Sequence, residues 1–203
     1  MTGGIDYLRK YEFFLKGFKD EEFTLLELGI YHGSSLKTWE EYFPRARIVG
    51  VDIDAKAAQY AGGRIEVIIG DLSDETVLES LGRLGASIIL DDASHIWSHQ
   101  LNALFRLYRT LPSGGLFILE DIQTSFKPVS RYYKDDFLSV PPAAVLYKIA
   151  EYMTANLKPI PSYPDKPLRP ISKIRRHHKK VREIADSADA AVFIHGSCIL
   201  VKK

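Results

Sequence analysis

Short apolar runs alternate with amphipathic stretches through the first 120 residues of the chain. Each run holds four to six mostly apolar residues, which is typical of strands buried on both faces of a sheet. In the stretches between the runs, apolar residues recur every three or four positions, which is typical of helices that cover a sheet. The predicted strands are 23–28, 47–52, 65–69, 87–90 and 116–119, and the predicted helices are 5–18, 34–42, 55–61, 74–84 and 97–111. Ser73 is the predicted N-cap of the fourth helix.

The pattern changes after residue 121. Eight of the ten prolines lie between residues 122 and 190, where only one helix is predicted, over 143–157. Two short apolar runs, 191–194 and 198–201, then flank His195-Gly196 and predict a closing hairpin. Because strands joined by helices run parallel, we expect an α/β fold with a doubly wound, mostly parallel seven-stranded sheet and a C-terminal antiparallel hairpin.

The length of 203 residues fits one domain. We expect residues 1–203 to form a single unit, in which residues 1–20 supply a helix over one sheet face and residues 124–180 form a substrate cap. The cap contains four aromatic candidates for an apolar wall, Phe126, Tyr132, Tyr133 and Phe137. Ordinary core or surface positions would explain these aromatics equally well.

Charge and cysteine content narrow the class of protein. The net charge of +1 gives no general attraction to nucleic acid or to a membrane. Nine basic residues and one acidic residue nevertheless lie between Lys158 and Arg182, and the tract 172–182 reads as a solvated helix face, an anionic-acceptor site, a subunit contact or a nucleic-acid site. A single cysteine, Cys198, fits inert core and a reducing compartment. Because no apolar stretch approaches the length of a membrane span, we expect a soluble cytoplasmic protein.

The first strand runs into a glycine turn that is typical of cofactor-binding α/β proteins. Gly29 and Gly33 let the backbone come close to a ligand, and the helix that begins at Ser34 and Ser35 points N–H groups at it. The spacing does not match the dinucleotide fingerprint, because Tyr31 stands where that pattern has its second glycine. The turn therefore favours a smaller adenosyl ligand over a pyrophosphate.

Each of the five predicted parallel strands ends in or beside an acidic residue. These acids are Glu27, Asp52, Asp71, Asp91-Asp92 and Glu120-Asp121. Since ligands of such folds lie beyond the carboxyl ends of the strands, Asp52 is a candidate to bind a ribose diol and Asp71 to accept from an adenine amino group. Both aspartates also fit a simpler role as turn-forming residues.

The acids at the last two strand ends predict a metal site. Asp92, Glu120 and Asp121 are hard oxygen ligands of the kind that Mg²⁺ prefers, whereas zinc would favour histidine and cysteine. His95 follows Asp92 closely enough to act as a general base near neutral pH. Turn and capping roles remain open for these acids, as does a core or capping role for His95. Asp91 is expected to be structural and to bond backbone N–H groups.

Several segments together resemble the class I S-adenosylmethionine-dependent methyltransferases. They are Glu27-Leu-Gly-Ile-Tyr-His-Gly-Ser-Ser35, Val49-Gly-Val-Asp-Ile-Asp54, Gly70-Asp71, Asp91-Asp-Ala-Ser-His95 and Glu120-Asp-Ile-Gln-Thr-Ser125. More narrowly, they resemble the metal-dependent O-methyltransferases of antibiotic tailoring, of the macrolide-sugar (mycinamicin) type. The resemblance covers roughly residues 23–126 and the final hairpin.

The resemblance implies a Rossmann-like methyltransferase fold, a Mg²⁺ ion held by Asp92, Glu120 and Asp121, and His95 as general base. It also implies that S-adenosylmethionine binds at the turn and at two later strand ends, through Glu27, Gly29, Tyr31, Gly33, Ser34, Ser35, Asp52 and Asp71. The sequence departs from the family pattern at Ala93, where glycine is common, and at Gln123, where histidine is common. The larger N-terminal domain of the macrolide enzymes has no counterpart here, which speaks against an acceptor of macrolide size.

The predicted function is Mg²⁺-dependent methylation of a hydroxyl on a small molecule, such as a sugar or another vicinal diol, by a chain that could also form a homo-oligomer. An RNA methyltransferase that uses the tract 172–182 is the main alternative, although this tract lacks the interleaved aromatics of single-strand binders. A non-catalytic S-adenosylmethionine-binding protein and a nicotinamide-dependent oxidoreductase are further alternatives.

Overall fold

The structure, a computed structural model, describes residues 3–135, 140–155 and 172–203. Seven strands in these ranges form one sheet. The strands are β1 (Thr24–Leu28), β2 (Arg47–Asp52), β3 (Ile65–Ile69), β4 (Ile88–Asp91), β5 (Leu116–Leu119), β6 (Ala188–Ile194) and β7 (Ser197–Lys202). The α-helices are α1 (Gly3–Leu15), α2 (Ser34–Tyr42), α3 (Glu75–Gly82), α4 (Trp97–Leu107), α5 (Ser130–Tyr133), α6 (Pro142–Ala155) and α7 (His178–Ser187). Short 3₁₀ turns occupy Lys16–Phe18, Ala55–Tyr60, Tyr108–Thr110, Ile122–Ser125 and Ser172–His177.

The strand order is β3-β2-β1-β4-β5-β7-β6. Strands β1 to β5 pair in parallel, and β7 pairs antiparallel with both β5 and β6. The chain moves outward from β1 to β3 and then crosses back to β4 beside β1, which is the doubly wound topology. The predicted fold class is therefore confirmed, including the C-terminal antiparallel hairpin.

Side chains of the parallel strands alternate between two apolar layers. Leu26 and Val49 face the layer that α3, α4, α6 and α7 cover, whereas Leu25 and Ile48 face the layer of α1 and α2. Because both faces are covered, the central strands read as continuous apolar runs in the sequence. Cys198 in β7 is fully buried, and burial raises the pKa of its thiol to about 12, as expected of an inert core cysteine.

Two details of the predicted elements are wrong. The N-cap of α3 is Asp74 rather than Ser73, because the Oδ1 atom of Asp74 accepts a hydrogen bond of 2.7 Å from the backbone N–H of Thr76. The second error is the single helix predicted between residues 122 and 190, since α5 and α7 accompany α6 there. The sequence analysis missed α7 because basic residues dominate the segment. Its buried apolar stripe consists of only three residues, Val181, Ile184 and Ala185.

The predicted cap over 124–180 lies partly outside the described residues, as does the aromatic candidate Phe137. Its described parts are residues 124–135, 140–155 and 172–180, which include α5, α6, the turn Ser172–His177 and the start of α7. None of the helices in the described ranges has both the length and the apolar composition that a membrane crossing requires.

Candidate active site

The carboxyl ends of the parallel strands surround a cavity of about 420 Å³. Since β1 to β4 run in the same direction, the residues that follow each strand meet at this edge of the sheet. Gly29, Asp52, Asp71 and Asp92 line the cavity from four different strand ends. Its walls also include apolar side chains that the sequence analysis did not single out, Ile53, Leu72 and Ile96.

The glycine turn after β1 packs closely against the protein itself. A Cβ atom on Gly29 would lie 2.4 Å from the Cα of Ala93, and one on Gly33 would lie 2.6 Å from the ring of Tyr60. Both glycines have a positive φ, +83° and +67°, so a side chain there would also be strained. Gly29 thus lets the turn sit against the loop after β4, and Gly33 lets it sit against Tyr60 in the 3₁₀ turn after β2. Gly29 borders the cavity at the same time.

Asp52 holds the glycine turn in place. Its Oδ2 atom accepts hydrogen bonds of 3.1 Å from the backbone N–H groups of Ile30 and Tyr31, and its Oδ1 atom accepts one of 3.0 Å from Asp54. Asp71 makes a similar local bond, accepting from the backbone N–H of Ser73 at 2.8 Å. The hydrogen bonds from Ser73 hold the pKa of Asp71 below its usual value. Both predicted ligand carboxylates therefore stabilise turns and also line the cavity.

Glu27 lies behind the turn and is not among the residues that line the cavity. It is fully buried, and the indole N–H of Trp39 in α2 donates to its Oε2 atom at 3.2 Å. Burial raises the pKa of Glu27 to about 8, although a hydrogen bond from Ser35 opposes the shift. Of the predicted cofactor residues, four line the cavity (Gly29, Tyr31, Asp52 and Asp71), whereas Gly33, Ser34 and Ser35 do not. Glu27 is buried behind the turn and joins β1 to α2.

Three side chains form a compact polar cluster beside the cavity. Asp92, His95 and Asp121 each offer one ligand atom, and these atoms all lie within 4.8 Å of one another. The Nε2 atom of His95 is 3.2 Å from Oδ2 of Asp121 and 4.0 Å from Oδ1 of Asp92. The sequence analysis placed all three of these residues in the chemistry of the site.

Backbone strain is concentrated at this edge. Among the described residues, three that are not glycine have a positive φ: Tyr31 (44°), His95 (55°) and Asp121 (52°). Such conformations cost on the order of 1–3 kcal/mol each and tend to persist where function requires a fixed side-chain position. Two of the three belong to the cluster, and the third is a tyrosine, 81% exposed, at the rim of the cavity.

The cluster is crowded with negative charge. Burial, followed by repulsion from Glu120 and Asp121, raises the pKa of Asp92 to about 7. Burial also lowers the pKa of His95, although Asp121 and Glu120 oppose this shift. Near neutral pH the imidazole is therefore largely uncharged and able to accept a proton.

Glu120 lies beside this cluster, but other groups already contact its carboxylate. It accepts hydrogen bonds from Lys10 at 2.8 Å and from Ser197 at 2.5 Å, and the hydroxyl of Tyr11 donates to its other oxygen. Burial raises the pKa of Glu120, yet these hydrogen bonds outweigh burial and bring the pKa below its usual value. Of the three predicted metal ligands, Asp92 and Asp121 thus belong to the compact cluster with His95, and Glu120 sits at its buried side.

Asp91, the neighbour of Asp92, is buried at the end of β4. Its Oδ1 atom accepts a long hydrogen bond of 3.4 Å from the backbone N–H of Ala93, in agreement with the predicted structural role. Within the described residues its Oδ2 atom has no hydrogen-bond partner, and burial raises its pKa to about 7.

The sequence analysis missed the residues that hold the acids in place. Lys10, Tyr11 and Ser197 contact Glu120 from sequence positions at least 77 residues away, so no local motif could reveal them. The amide of Gln123 donates to Oδ1 of Asp121 at 2.7 Å. Gln123, which departs from the family pattern, therefore still supplies a hydrogen-bond partner for Asp121.

The donor set fits a hard divalent cation. Carboxylate oxygens dominate it, with a single imidazole and without a thiolate, which is a poor match for a structural zinc site and a good one for Mg²⁺ or Mn²⁺. The adjacent cavity combines three carboxylates, of Asp52, Asp71 and Asp92, with apolar walls, a mixture suited to a nucleoside.

Comparisons with known proteins place these features in context. No protein-family profile matches the chain. It is 34% identical over 139 residues to the 8-demethyl-8-α-L-rhamnosyl tetracenomycin-C 2'-O-methyltransferase of Streptomyces olivaceus, covering 64% of this chain and 36% of that protein. It is 33% identical over 127 residues to the demethylmacrocin O-methyltransferase of Streptomyces fradiae, covering 58% of this chain and 32% of that protein. The chain thus spans about a third of the length of these curated relatives.

Solved structures agree with the fold. The MycE methyltransferase of the mycinamycin biosynthetic pathway, in complex with Mg and SAH, has a TM-score of 0.73 and 24% identity, covering 95% of this chain and 48% of that one. A caffeoyl-CoA O-methyltransferase structure from Staphylococcus aureus has a TM-score of 0.53 and 14% identity, covering 97% of this chain and 83% of that one. The resemblance stated from the sequence is confirmed: the chain is similar in sequence to antibiotic-sugar O-methyltransferases and has the methyltransferase fold.

Proposed function

We propose that this chain transfers a methyl group from S-adenosylmethionine to a hydroxyl of a small molecule, with a sugar or another vicinal diol as acceptor and a divalent cation as cofactor. The observation that carries the proposal is the placement of His95 between two aspartates, one of which, Asp92, lines a nucleoside-sized cavity. The sequence similarity to enzymes that methylate antibiotic sugars supports the choice of acceptor class.

The cavity would hold the donor. When bound, S-adenosylmethionine supplies a methyl group on a positively charged sulfur. Asp52 would accept hydrogen bonds from the ribose hydroxyls and Asp71 from the adenine amino group, since both line the cavity. Ile53 and Leu72 follow these strand ends and would contact the adenine ring. The turn from Gly29 through Gly33 to Ser34 and Ser35, with Tyr31 at its rim and Glu27 behind it, would position the rest of the donor.

Asp92, Glu120 and Asp121 would hold the cation, for which Mg²⁺ is the proposed species. When bound, a divalent ion supplies positive charge that lowers the pKa of a nearby hydroxyl and offsets the repulsion among the three carboxylates. A structural relative, MycE, is described as a complex with Mg, which supports this assignment. Two adjacent hydroxyls would suit such a site better than one, which favours a vicinal diol.

His95 would act as the general base. The acceptor oxygen would form a bond to the methyl carbon as the sulfur–carbon bond breaks with its electron pair on sulfur, and the imidazole of His95 would take the hydroxyl proton. Asp121, whose Oδ2 atom lies 3.2 Å from Nε2 of His95, would stabilise the imidazolium that results. The positive φ of His95 and of Asp121 supports a functional role for this pair, because such strain tends to persist where a side chain must hold a fixed position.

Aromatic side chains beside the cluster would receive the acceptor. The ring of Tyr133 in α5 lies edge-on to the His95 ring at 6.1 Å between centroids. Phe126 and Tyr132 are exposed nearby in sequence and would offer flat apolar surface to the carbon face of a sugar. Ser98 at the start of α4 donates a hydrogen bond to Asp135 and ties this segment to α4.

The direct test is turnover on a panel of glycosides and catechols with S-adenosylmethionine, in the presence of Mg²⁺ and of EDTA. We expect methylation of at least one vicinal diol that EDTA abolishes. Asp92→Asn and Asp121→Asn should lose this turnover while they keep affinity for S-adenosylhomocysteine, and Asp189→Asn in β6 serves as a control remote from the cluster. Methylation that persists in EDTA, or in the Asp92 variant, would contradict the proposed role of the cation.

A further inference from the structure

We infer that Lys10 serves as the counter-ion of Glu120 while the divalent cation is absent and gives up this contact when the cation binds. The first helix therefore carries a built-in competitor for the metal. This inference rests on the proposed function only in taking a divalent cation to bind beside Asp92 and Asp121.

Lys10 contacts the ends of two neighbouring strands, β5 and β7. Its Nζ atom lies 2.8 Å from Oε2 of Glu120 at the end of β5 and 2.6 Å from Oγ of Ser197 at the start of β7. These partners are 110 and 187 positions away along the chain. The ammonium group is thus brought to the buried side of the cluster by the docking of α1.

Glu120 needs a positive partner when no metal is present. The residue is only 4% exposed, and an ionised carboxylate at such a site is costly without a compensating charge. Tyr11 and Ser197 also donate to this carboxylate, but both are neutral groups. Lys10 is therefore the source of positive charge in direct contact with Glu120 among the described residues.

The same ammonium group acts on the neighbouring aspartate. The charge of Lys10 favours the ionised form of Asp92, in opposition to burial and to the other two carboxylates. Because Nζ of Lys10 lies 2.8 Å from Oε2 of Glu120, the ammonium already engages a carboxylate that a cation shared by Asp92 and Glu120 would need. Two cations at such short range repel each other, so the metal and Lys10 compete for one carboxylate.

The side chain of Lys10 is able to leave. It is 23% exposed and sits on a flexible four-carbon stem, so its ammonium group can reach water without moving the helix. The neighbouring Tyr11 is fully buried and would keep α1 docked through its bonds to Glu120 and Ser197. Tyr11 is thus the fixed contact between α1 and Glu120, and Lys10 is the exchangeable one.

Titration of the metal-free protein with Mn²⁺, followed by calorimetry without donor or acceptor, tests this competition. Lys10→Met should bind Mn²⁺ more tightly than the wild type by about tenfold, because the competing charge is gone. Lys16→Met provides the matched control, since Lys16 is exposed in the turn that follows the same helix and contacts the ring of Phe13. Unchanged or weaker binding by Lys10→Met, beside normal binding by the wild type, would overturn the inference and leave the proposed function standing.

A second measurement uses the wild-type chain and so does not depend on how the variant folds. The acetylation rates of Lys10 and Lys16 are compared by mass spectrometry with and without saturating Mn²⁺. We expect Mn²⁺ to speed the modification of Lys10 several-fold and to leave Lys16 unchanged. A Lys10 rate that stays constant in the metal-bound protein would refute its displacement, and a wild type that binds no Mn²⁺ would remove both the inference and the proposed metal site.

Discussion

His95 is the residue on which the proposed chemistry depends most. Its position was foreseen from its spacing to Asp92, but its close contact with Asp121 and its positive φ emerge only in the folded chain. The spacing of three residues suggested that His95 and Asp92 share a turn. Asp121 lies 26 positions after His95, and the sequence identified it only as another acid at a strand end. The sequence thus predicted the members of the cluster but not which of them touch.

Replacing His95 with Gln should reduce turnover at pH 7 by about 10²–10⁴-fold, because the acceptor proton loses its base. Affinity for S-adenosylhomocysteine should stay within about twofold of wild type, since His95 is not among the residues that line the cavity. The measurement is kcat together with calorimetric affinity, with exposed His178→Gln in α7 as the control. Full activity of His95→Gln at neutral pH would remove His95 from the mechanism.

Asp92 should destabilise the metal-free protein above neutral pH. Its pKa is raised from 3.8 to about 7, so the folded state binds the proton more tightly than the unfolded state, and stability falls as pH rises through this window. Asp92→Asn removes this cost. Because the Asp92 side chain is 38% exposed, solvent screens part of the repulsion, and we expect a gain of about 1 kcal/mol, or roughly 2–4 °C in Tm, at pH 8.

Thermal unfolding in EDTA at pH 5 and pH 8 checks this prediction. The gain should be clearly smaller at pH 5, where the native carboxyl is already protonated. An equal gain at both pH values would show that the substitution acts through packing and not through charge.

At the scale of single elements, the start of α3 shows a case in which the sequence pattern does not determine the N-cap residue. Ser73 and Asp74 are both common N-cap residues, and local sequence does not decide between them. The extended backbone of Asp74 (φ −83°, ψ 119°) and its bond to Thr76 make it the cap. The backbone N–H of Ser73 donates to Asp71, so Ser73 belongs to the turn that precedes the helix.

Asp74→Ala should therefore cost about 1 kcal/mol of stability, whereas Ser73→Ala should change stability by less than about 0.5 kcal/mol. Urea denaturation of both variants measures the difference. Equal losses for the two substitutions would contradict the assignment of the cap.

Helix α7 shows why composition alone misleads. Val181, Ile184 and Ala185 form a helical stripe that packs into the core, but the surrounding basic residues dominate the local sequence. Within the helix, Lys179 lies 3.9 Å from Glu183 and Arg182 lies 3.3 Å from Asp186, so part of the basic charge is compensated. Two basic side chains of the tract 172–182 thus have acidic neighbours one helical turn further along.

For the whole molecule, the sheet edge was the most predictable feature. The hydrophobic periodicity predicted the strands, and their helical connections predicted that they run parallel. Parallel strands end at a common edge, so the acidic residues at five strand ends were expected to lie together there. The contact of α1 with β5 and β7 lay beyond such reasoning, because residues 110 or more positions apart met through packing alone. The sequence therefore predicted the acidic residues at the open side of the site but not the contacts of α1 with Glu120 at its buried side.

Ligand-dependent unfolding tests the type of cofactor at the same scale. S-adenosylhomocysteine at about 100 times its Kd should stabilise the chain by about 2.7 kcal/mol, whereas NAD at the same concentration should leave Tm unchanged. Asp52→Ala should reduce the shift, since Asp52 both lines the cavity and holds the glycine turn. Stabilisation by NAD alone would favour an oxidoreductase.

The most direct test of the account is a crystal structure with Mn²⁺ and S-adenosylhomocysteine, read by anomalous diffraction. The account predicts one strong manganese peak at about 2.0–2.3 Å from carboxylate oxygens of Asp92 and Asp121, with Glu120 freed from Lys10 to join them. The nucleoside should occupy the cavity between Asp52 and Asp71, with its sulfur facing the manganese. A manganese peak away from these carboxylates, or a nucleoside bound in another cavity, would contradict the proposed site.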